Sequence, residues 1–250
     1  MKIKNEFGED VDLVVEGNDK SSTTIIFVHG FGTNKDEGGG LFIDIARSLS
    51  DRFRLVRFDF TGYGMSEGRQ EDTSLAKEAS DLNSVLVFVQ ERYGNKIWLI
   101  GMSLGCYVIA LLSPDGISKT VFISPPDSSQ SITAERLAKR IKSRKGGSVD
   151  YNGITIYPRS SGETQKIGPA FWKSLNEFNA EAAISAYSRK TDLTTIIPLQ
   201  DEIFERKNVD IYDKVSSSCI RMKGNHAFTV KEEREALVSK MADIFQSKQE

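Results

Sequence analysis

A serine and a histidine of this chain could together attack a carbonyl carbon. Ser103 is the central residue of the sequence GMSLG at 101–105, with a strand-like apolar run at 96–100 before it and a helix-like run at 106–112 after it. A G-x-S-x-G sequence between a strand and a helix forms a sharp turn that exposes the serine hydroxyl. This context predicts that Ser103 is a nucleophile; the alternative is a turn of small residues that packs against a helix.

A serine hydroxyl needs a base near neutral pH, and that base needs an acid to orient it. The chain contains two histidines, His29 and His226. In proteins with this serine turn the chain order is serine, acid, histidine, and His226 is the histidine that follows Ser103. We therefore predict that His226 is the general base; the alternative is a surface histidine that caps a turn. We expect His29 to hold its own loop in place rather than to take part in chemistry.

The acid is expected between these two residues, shortly after a strand. Residues 193–199 form an apolar run that predicts a strand, and Asp201 follows it after one residue. We predict that Asp201 orients His226, with Glu202 as the nearest competitor. The alternative role for Asp201 is to cap a helix that begins near Ile203.

The sequence resembles the α/β-hydrolase family along nearly its whole length. The matching segments occur in the family's order: FVHGFGTN (27–34), RFDFTGYGMSEG (57–68), GMSLG (101–105), QDEIF (200–204) and KGNHAF (223–228). One departure is Leu199, because the family often has glycine two residues before the acid. The resemblance is greatest to serine carboxylesterases of the compact cinnamoyl and feruloyl type. It implies an oxyanion hole formed by the backbone N–H groups of Leu104 and Phe31, each worth on the order of 3 kcal/mol.

Predicted strands and helices alternate along most of the chain. We predict strands at 2–6, 11–15, 24–29, 53–58, 97–100, 119–124, 193–199 and 217–222, and helices at 39–50, 73–92, 104–112 and 231–247. This alternation is typical of an α/β fold, here the α/β-hydrolase fold, with a mostly parallel central sheet flanked by helices. Functional residues of such sheets lie at the carboxyl ends of the strands. We expect Ser103, Asp201, His226 and Phe31 at that edge.

Residues 126–192 interrupt the alternation. We predict that they form a small cap inserted into a catalytic domain made of 1–125 and 193–250, which would cover Ser103 and exclude water. The predicted cap elements are a basic helix at 134–145, a hairpin with strands at 149–151 and 154–157 around an Asn-Gly turn, and one helix at 169–187. Its aromatic residues could line a pocket or simply pack the cap: Tyr151, Tyr157, Phe171, Trp172, Phe178 and Tyr187. The basic helix could meet an anionic substrate or be an ordinary solvated face.

Composition excludes several classes of function. A net charge of −2 and a pI near 5.9 give no reason to expect nucleic acid or an anionic membrane as a partner. No apolar run is long enough for a membrane span, and the charged N-terminal segment does not resemble a signal peptide, so we expect a cytoplasmic protein. Cys106 and Cys219 are expected to be buried thiols without a disulfide. No metal-ligand spacing or nucleotide-binding loop occurs, so no cofactor or metal is expected.

These residues predict a serine hydrolase that cleaves small, medium-sized or aromatic carboxylic esters through an acyl-enzyme. The same residues would also serve a thioesterase, a lactonase or an acyltransferase, and these alternatives stay open. A relative that binds a small molecule without useful turnover is a hypothesis from a different class. A third hypothesis is a protein-interaction scaffold whose active site is vestigial. The sequence predicts neither the natural substrate nor the oligomeric state.

Overall fold

The computed structural model describes residues 1–159, 162–204 and 210–246. A sheet of eight strands crosses the middle of this described part. Its strands are β1 (Lys2–Lys4), β2 (Asp10–Gly17), β3 (Thr24–Val28), β4 (Arg54–Phe58), β5 (Ile97–Met102), β6 (Ile117–Ile123), β9 (Asp192–Pro198) and β10 (Ser218–Met222). Two short strands, β7 (Thr155–Pro158) and β8 (Thr164–Ile167), form a separate antiparallel pair.

The main sheet is mostly parallel, as the sequence predicted. The strand order is β1-β2-β4-β3-β5-β6-β9-β10. β1 pairs with β2 and β2 pairs with β4 in antiparallel register, which confirms the predicted opening pair. From β4 to β10 every pairing is parallel. The carboxyl ends of β3, β5, β6, β9 and β10 therefore meet at one edge of the sheet.

Helices cover both faces of this sheet. They are α1 (Leu41–Leu49), α2 (Leu75–Tyr93), α3 (Leu104–Leu112), α4 (Gln130–Lys142), α5 (Pro169–Glu177), α6 (Ala180–Ser188), α7 (Asp210–Val215) and α8 (Lys231–Gln246). α1 and α8 pack together on one face, and α2, α3 and α6 pack on the other. Alternate residues of β3 enter the two cores, Ile25 on the α1 side and Ile26 on the α2 side. Burial on both faces explains why its sequence is a continuous apolar run.

The single helix predicted at 169–187 is wrong, because two helices occupy this segment. Phe178 has extended backbone angles after α5, and its aromatic ring packs on Tyr107. Asn179 then caps α6 by accepting a hydrogen bond from the backbone N–H of Ala182. An asparagine at this position satisfies the free N–H groups of a new helix, so the apolar pattern continues while the helix does not.

The hairpin predicted around Asn152-Gly153 is also wrong. β7 pairs with β8, and the upstream segment contributes a single bridge between Ser148 and Ile156. The Asp150 carboxylate accepts hydrogen bonds from the backbone N–H groups of Asn152 and Gly153, both at 2.9 Å. A side chain that bonds the backbone locally competes with strand pairing, which accounts for the difference.

The inserted segment, residues 126–192, connects β6 to β9, which are neighbours in the sheet. Its last helix, α6, packs on α3 like an ordinary flanking helix. The division into a catalytic domain and a cap stays a prediction. The two cysteines are free thiols; Cys106 is buried as expected, whereas Cys219 is only half-buried.

Candidate active site

Ser103 lies in a strained turn between β5 and α3. Its φ of 51° and ψ of −122° belong to a region that residues other than glycine avoid, at a cost of order 1–3 kcal/mol. The Ser103 N–H donates to the Ile123 carbonyl oxygen of β6 at 2.9 Å. This bond ties the turn to the carboxyl edge of the sheet, and the serine itself stays half-buried rather than enclosed.

The glycine after the serine allows α3 to approach β3 very closely. A Cβ atom at Gly105 would lie 2.4 Å from the Val28 carbonyl oxygen and 2.7 Å from that of His29. A Cβ atom at Gly101 would lie 2.8 Å from Ile109 Cδ1. Both distances to backbone oxygens are impossible for a real side chain, so the glycine pattern has a direct steric cause.

His226 lies between Ser103 and Asp201. Its Nε2 is 3.0 Å from Ser103 Oγ, and its Nδ1 is 2.9 Å from Asp201 Oδ2. Both are hydrogen-bond distances. Because Nδ1 donates to the carboxylate, Nε2 is the nitrogen that can accept the serine proton. The side chains of His226 and Asp201 are 9% and 7% exposed, so little water competes for these bonds.

Asp201 uses its two carboxylate oxygens for different contacts. Oδ2 faces His226, while Oδ1 accepts hydrogen bonds from the backbone N–H groups of Ile203 at 2.7 Å and Phe204 at 2.9 Å. The capping role and the orienting role weighed from the sequence are therefore both compatible with its position. A helix continuing from Ile203 would extend into residues 205–209, which lie outside the described residues.

Glu202 contacts the backbone of His226 rather than its ring. Its Oε2 accepts a hydrogen bond from the His226 N–H at 3.0 Å. On the other side of the same residue, the Ser124 hydroxyl donates to the His226 carbonyl oxygen at 2.7 Å. Ser124 is fully buried and has a φ of 47°. Sequence reasoning missed both contacts as supports for His226, because a lone serine after a strand and a second acid carry no distinctive pattern.

The backbone beside Ser103 fits the predicted oxyanion hole. Leu104 is the first residue of α3, where N–H groups have no partner within the helix and the helix dipole favours negative charge. The N–H of Ser103 itself is already bonded to Ile123. A Cβ atom at Gly30 would lie 3.2 Å from Ser103 Cβ, so the chain leading to Phe31 passes directly beside the serine.

His29 holds this loop, as expected from the sequence. Its Nε2 accepts a hydrogen bond from the Phe60 N–H at 3.1 Å, and its Nδ1 lies 2.8 Å from the Gly30 carbonyl oxygen. Nδ1 is therefore the protonated nitrogen and donates to Gly30. Burial lowers the pKa of His29, which keeps the ring neutral. The histidine thus joins the loop after β3 to the loop after β4.

Glu37 is a second support for the same loop, and sequence reasoning missed it. The buried carboxylate accepts hydrogen bonds from the Gly30 N–H at 2.6 Å, the Thr33 hydroxyl at 3.1 Å and the Gly38 N–H at 3.0 Å. Three donors on one carboxylate fix the loop next to Ser103 before any substrate binds. In the sequence Glu37 is one acid among several in a polar loop, so nothing distinguished it.

The inserted segment reaches the loop beside the serine. The rings of Phe31 and Phe171 have centroids 4.7 Å apart. A Cβ atom at Gly32 would lie 2.2 Å from Gln165 Oε1 and 2.9 Å from an Arg159 guanidinium nitrogen. Five of the six aromatic residues considered for a pocket are buried in packing contacts: Tyr157, Phe171, Trp172, Phe178 and Tyr187. Tyr151 is exposed, so for most of them the packing interpretation is the better one.

The described residues contain neither a membrane-spanning helix nor a cluster of metal-binding side chains. None of their helices is both long enough and apolar enough to cross a membrane. Within the same residues, no group of histidine, cysteine, aspartate and glutamate side chains is arranged to hold a metal ion.

The solved structures that share this fold include three esterases, each covered over most of its length. Est1E from Butyrivibrio proteoclasticus, with ferulic acid bound, has a TM-score of 0.76 at 17% identity, covering 98% of this chain and 97% of that chain. The esterase domain of a Rhodothermus marinus protein has a TM-score of 0.71 at 18% identity, with coverages of 98% and 95%. The Pyrococcus furiosus esterase Pf2001 has a TM-score of 0.73 at 19% identity, with coverages of 98% and 89%. At these identities the similarity establishes the fold alone.

The amino-acid sequence of the chain matches a protein-family model. No curated protein sequence matches the chain. The model described as "Alpha/beta hydrolase family", however, matches residues 25–204, well over half of the chain. This range includes the loop after β3, the Ser103 turn and Asp201. Together with the eight-stranded sheet, the match confirms the resemblance and the fold expected from the sequence: the chain belongs to the α/β-hydrolase family.

Proposed function

We propose that the protein hydrolyses carboxylic esters, with Ser103 as nucleophile, His226 as general base and Asp201 as the residue that orients the histidine. One observation carries this proposal. Hydrogen bonds of 3.0 and 2.9 Å connect Ser103 Oγ to His226 and His226 to Asp201 without a gap. The strained backbone of Ser103 adds support, because strain of this kind persists where the surrounding structure enforces it for a function.

In the first half of the proposed reaction, Ser103 Oγ attacks the ester carbonyl carbon while His226 Nε2 takes the hydroxyl proton. The negative charge on the carbonyl oxygen is stabilised by the N–H groups of Leu104 and Phe31. Asp201 stabilises the positively charged imidazole ring through Nδ1. The C–O bond then breaks, and the alcohol leaves with the proton from Nε2. The acyl group stays bonded to Ser103.

In the second half, water takes the place of the alcohol. His226 Nε2 removes a proton from water, whose oxygen attacks the acyl carbon. Breakdown of this second tetrahedral intermediate returns the proton to Ser103 Oγ and releases the carboxylic acid. The proposed scheme needs two backbone N–H donors, a general base and a carboxylate that orients the base. The proposal assigns these roles to Leu104 and Phe31, His226 and Asp201.

The inserted segment is proposed as a cap that shapes the substrate pocket. Support comes from the contact between Phe31 and the buried Phe171, which packs the segment against the loop that contains a proposed oxyanion donor and leaves the Phe31 ring half-buried. Aromatic and medium-sized apolar esters fit such surroundings. The relatives of similar fold include esterases, one of them with ferulic acid bound. Thioesters, lactones and acyl transfer to an alcohol use the same catalytic residues and are the alternatives.

The proposal is tested by labelling with a fluorophosphonate probe, followed by turnover of p-nitrophenyl esters of increasing acyl length. The native protein is expected to be labelled, and the Ser103→Ala variant is not. The matched control is Ser239→Ala, an exposed serine of α8, which is expected to be labelled and to hydrolyse esters like the native protein.

Other outcomes separate the alternatives. Faster turnover of acyl thioesters or lactones than of esters would reassign the substrate class while keeping Ser103 as nucleophile. A burst of product followed by a stall would favour a protein that captures its ligand without turnover. Equal labelling of the native protein and Ser103→Ala would overturn the proposal.

A further inference from the structure

Arg159 brings a positive charge to the loop beside Ser103. It is the residue after β7, and one guanidinium nitrogen lies 2.9 Å from the position that a Cβ atom would take at Gly32. Gly32 is two residues from Gly30, whose own Cβ position is 3.2 Å from Ser103 Cβ. The guanidinium therefore contacts the same three-residue loop that passes beside the serine.

Neutral groups hold this guanidinium. Nη1 donates to the Gln165 side-chain oxygen at 3.2 Å, and the guanidinium carbon lies 4.8 Å from the centroid of the Tyr157 ring. Within residues 1–159, 162–204 and 210–246, no carboxylate lies at ion-pair distance from Arg159. A guanidinium has five N–H donors in a fixed plane, so most of its hydrogen-bonding capacity stays open. The side chain is half-buried.

The contacts of Gln165 make this position rigid. Its Nε2 donates to the Tyr63 hydroxyl oxygen at 3.1 Å, and both residues are buried. With the amide nitrogen directed at Tyr63, the amide oxygen is directed at Arg159. The guanidinium is thus oriented by a chain of hydrogen bonds from the protein interior. Pre-orientation of a charged donor lowers the entropy lost when a ligand binds.

A planar, pre-oriented guanidinium in a half-buried position binds carboxylates with two parallel hydrogen bonds. Resting on the proposed ester hydrolysis at Ser103, we infer that Arg159 selects esters that carry a free carboxylate. The carboxylate pairs with Arg159 while the ester carbonyl lies at Ser103. Neutral esters can reach the same serine but lose this contact. Arg159 is a specificity residue in this scheme and takes no part in proton transfer.

The test compares monoethyl esters of glutaric, adipic and suberic acid with the corresponding neutral diethyl esters, by titrating the acid released. The native protein is expected to prefer one half-ester over its diester. In Arg159→Gln, the kcat/KM for that half-ester falls about 10- to 100-fold, the range for loss of a charge-assisted bidentate contact. The kcat/KM for the diester stays within about twofold, because its carbonyl contacts do not involve Arg159.

Two control variants test whether the effect comes from carboxylate binding by Arg159, from the overall positive charge of the segment or from a loss of folded structure. Arg189→Gln removes one positive charge from an exposed position of the same inserted segment, and it is expected to leave both rates unchanged. Arg159→Lys keeps the charge but loses the planar pair of donors, so it recovers part of the preference. A purely structural role for Arg159 would instead lower the half-ester and diester rates equally. Acetyl esters of ω-hydroxy acids show whether the carboxylate belongs to the acyl or the alcohol side.

A binding measurement keeps this inference distinguishable from the proposed hydrolysis. Calorimetry with Ser103→Ala and the dicarboxylates glutarate, adipate and suberate needs no turnover. Weaker dicarboxylate binding by the double variant Ser103→Ala/Arg159→Gln than by Ser103→Ala supports the carboxylate site, even if no ester is hydrolysed. Ester hydrolysis with an unchanged half-ester to diester ratio in Arg159→Gln overturns the inference and leaves the proposed function intact. Absence of both dicarboxylate binding and half-ester preference also overturns it.

Discussion

Asp201 and Glu202 are adjacent carboxylates, and their contacts differ in a way that the sequence alone could not show. Asp201 Oδ2 bonds to the ring of His226, whereas Glu202 Oε2 bonds to the backbone N–H of the same residue. A carboxylate at Nδ1 sets which nitrogen carries the proton, so it acts on the chemistry directly. A carboxylate at the backbone only fixes position. The two residues should therefore respond very differently to loss of charge.

Replacing each carboxylate by its amide tests this difference. Asp201→Asn presents an N–H₂ group to Nδ1 and favours the wrong tautomer of His226, so we expect kcat to fall about 10⁴-fold. Glu202→Gln keeps an oxygen that can accept from the His226 N–H, so we expect a loss of less than about tenfold. Steady-state kinetics on one p-nitrophenyl ester, with thermal unfolding as a check on folding, gives both values. A larger loss in Glu202→Gln would reverse the assignment of the acid.

At the level of elements, the site depends on the close contact between the start of α3 and the end of β3. Gly105 makes that contact possible, because any larger residue would place Cβ against the carbonyl oxygens of Val28 and His29. These oxygens belong to backbone that cannot move without shifting β3 or α3. The same two elements lead into Phe31 and Leu104, the proposed oxyanion donors. A change in their separation should therefore alter stability and activity together.

We expect Gly105→Ala to lower the free energy of unfolding by about 1–3 kcal/mol, the usual cost of overpacking, and to lower kcat. Gly38→Ala is the steric control for stability: neither glycine has a left-handed φ, and a Cβ at Gly38 meets Ala227 at an ordinary 3.8 Å. Urea unfolding monitored by tryptophan fluorescence measures both variants. Equal stability of the two variants would mean that α3 and β3 can separate without cost.

The elements also show what could be predicted from sequence. β3 and β5 were predicted because strands buried on both faces consist of continuous apolar residues, and the sharp turn at Ser103 was predicted because such a turn requires glycines on both sides. The hairpin expected at 149–157 does not form, because the Asp150 carboxylate accepts hydrogen bonds from the local backbone and its segment does not pair as a strand. Glu37 was not found, because its role consists of contacts to backbone N–H groups of a folded loop.

For the molecule as a whole, the α2 side of the sheet contains buried carboxyl groups as well as the larger apolar core. Asp81 is fully buried and accepts hydrogen bonds from Asn5 and from the backbone and hydroxyl of Thr61, each at 2.8 Å. These bonds join the N-terminal strand pair, the loop after β4 and α2. Glu78, one turn earlier on α2, is 3% exposed and lies near the charge of Asp81.

Burial, followed by the negative charge of Asp81, raises the pKa of Glu78 to about 8. Folding therefore favours the protonated carboxyl. This contribution is fully present below the ordinary glutamate pKa of about 4.5 and is lost as the pH rises towards 8. Each pH unit within that window removes about 1.4 kcal/mol from the free energy of unfolding. The whole domain, rather than the active site, should report this loss.

Glu78→Gln replaces the titrating group by a neutral side chain of nearly the same shape. We expect its Tm to exceed that of the native protein by a margin that grows from pH 5 to pH 8 by about 3–6 °C for each pH unit, the shift produced by ~1.4 kcal/mol in a chain of this size. Glu91→Gln changes an exposed glutamate of the same helix and should show no such growth. Calorimetric scans of the three proteins between pH 5 and pH 8 measure these Tm differences. A constant margin between Glu78→Gln and the native protein would mean that Glu78 ionises in the folded state at its ordinary pKa.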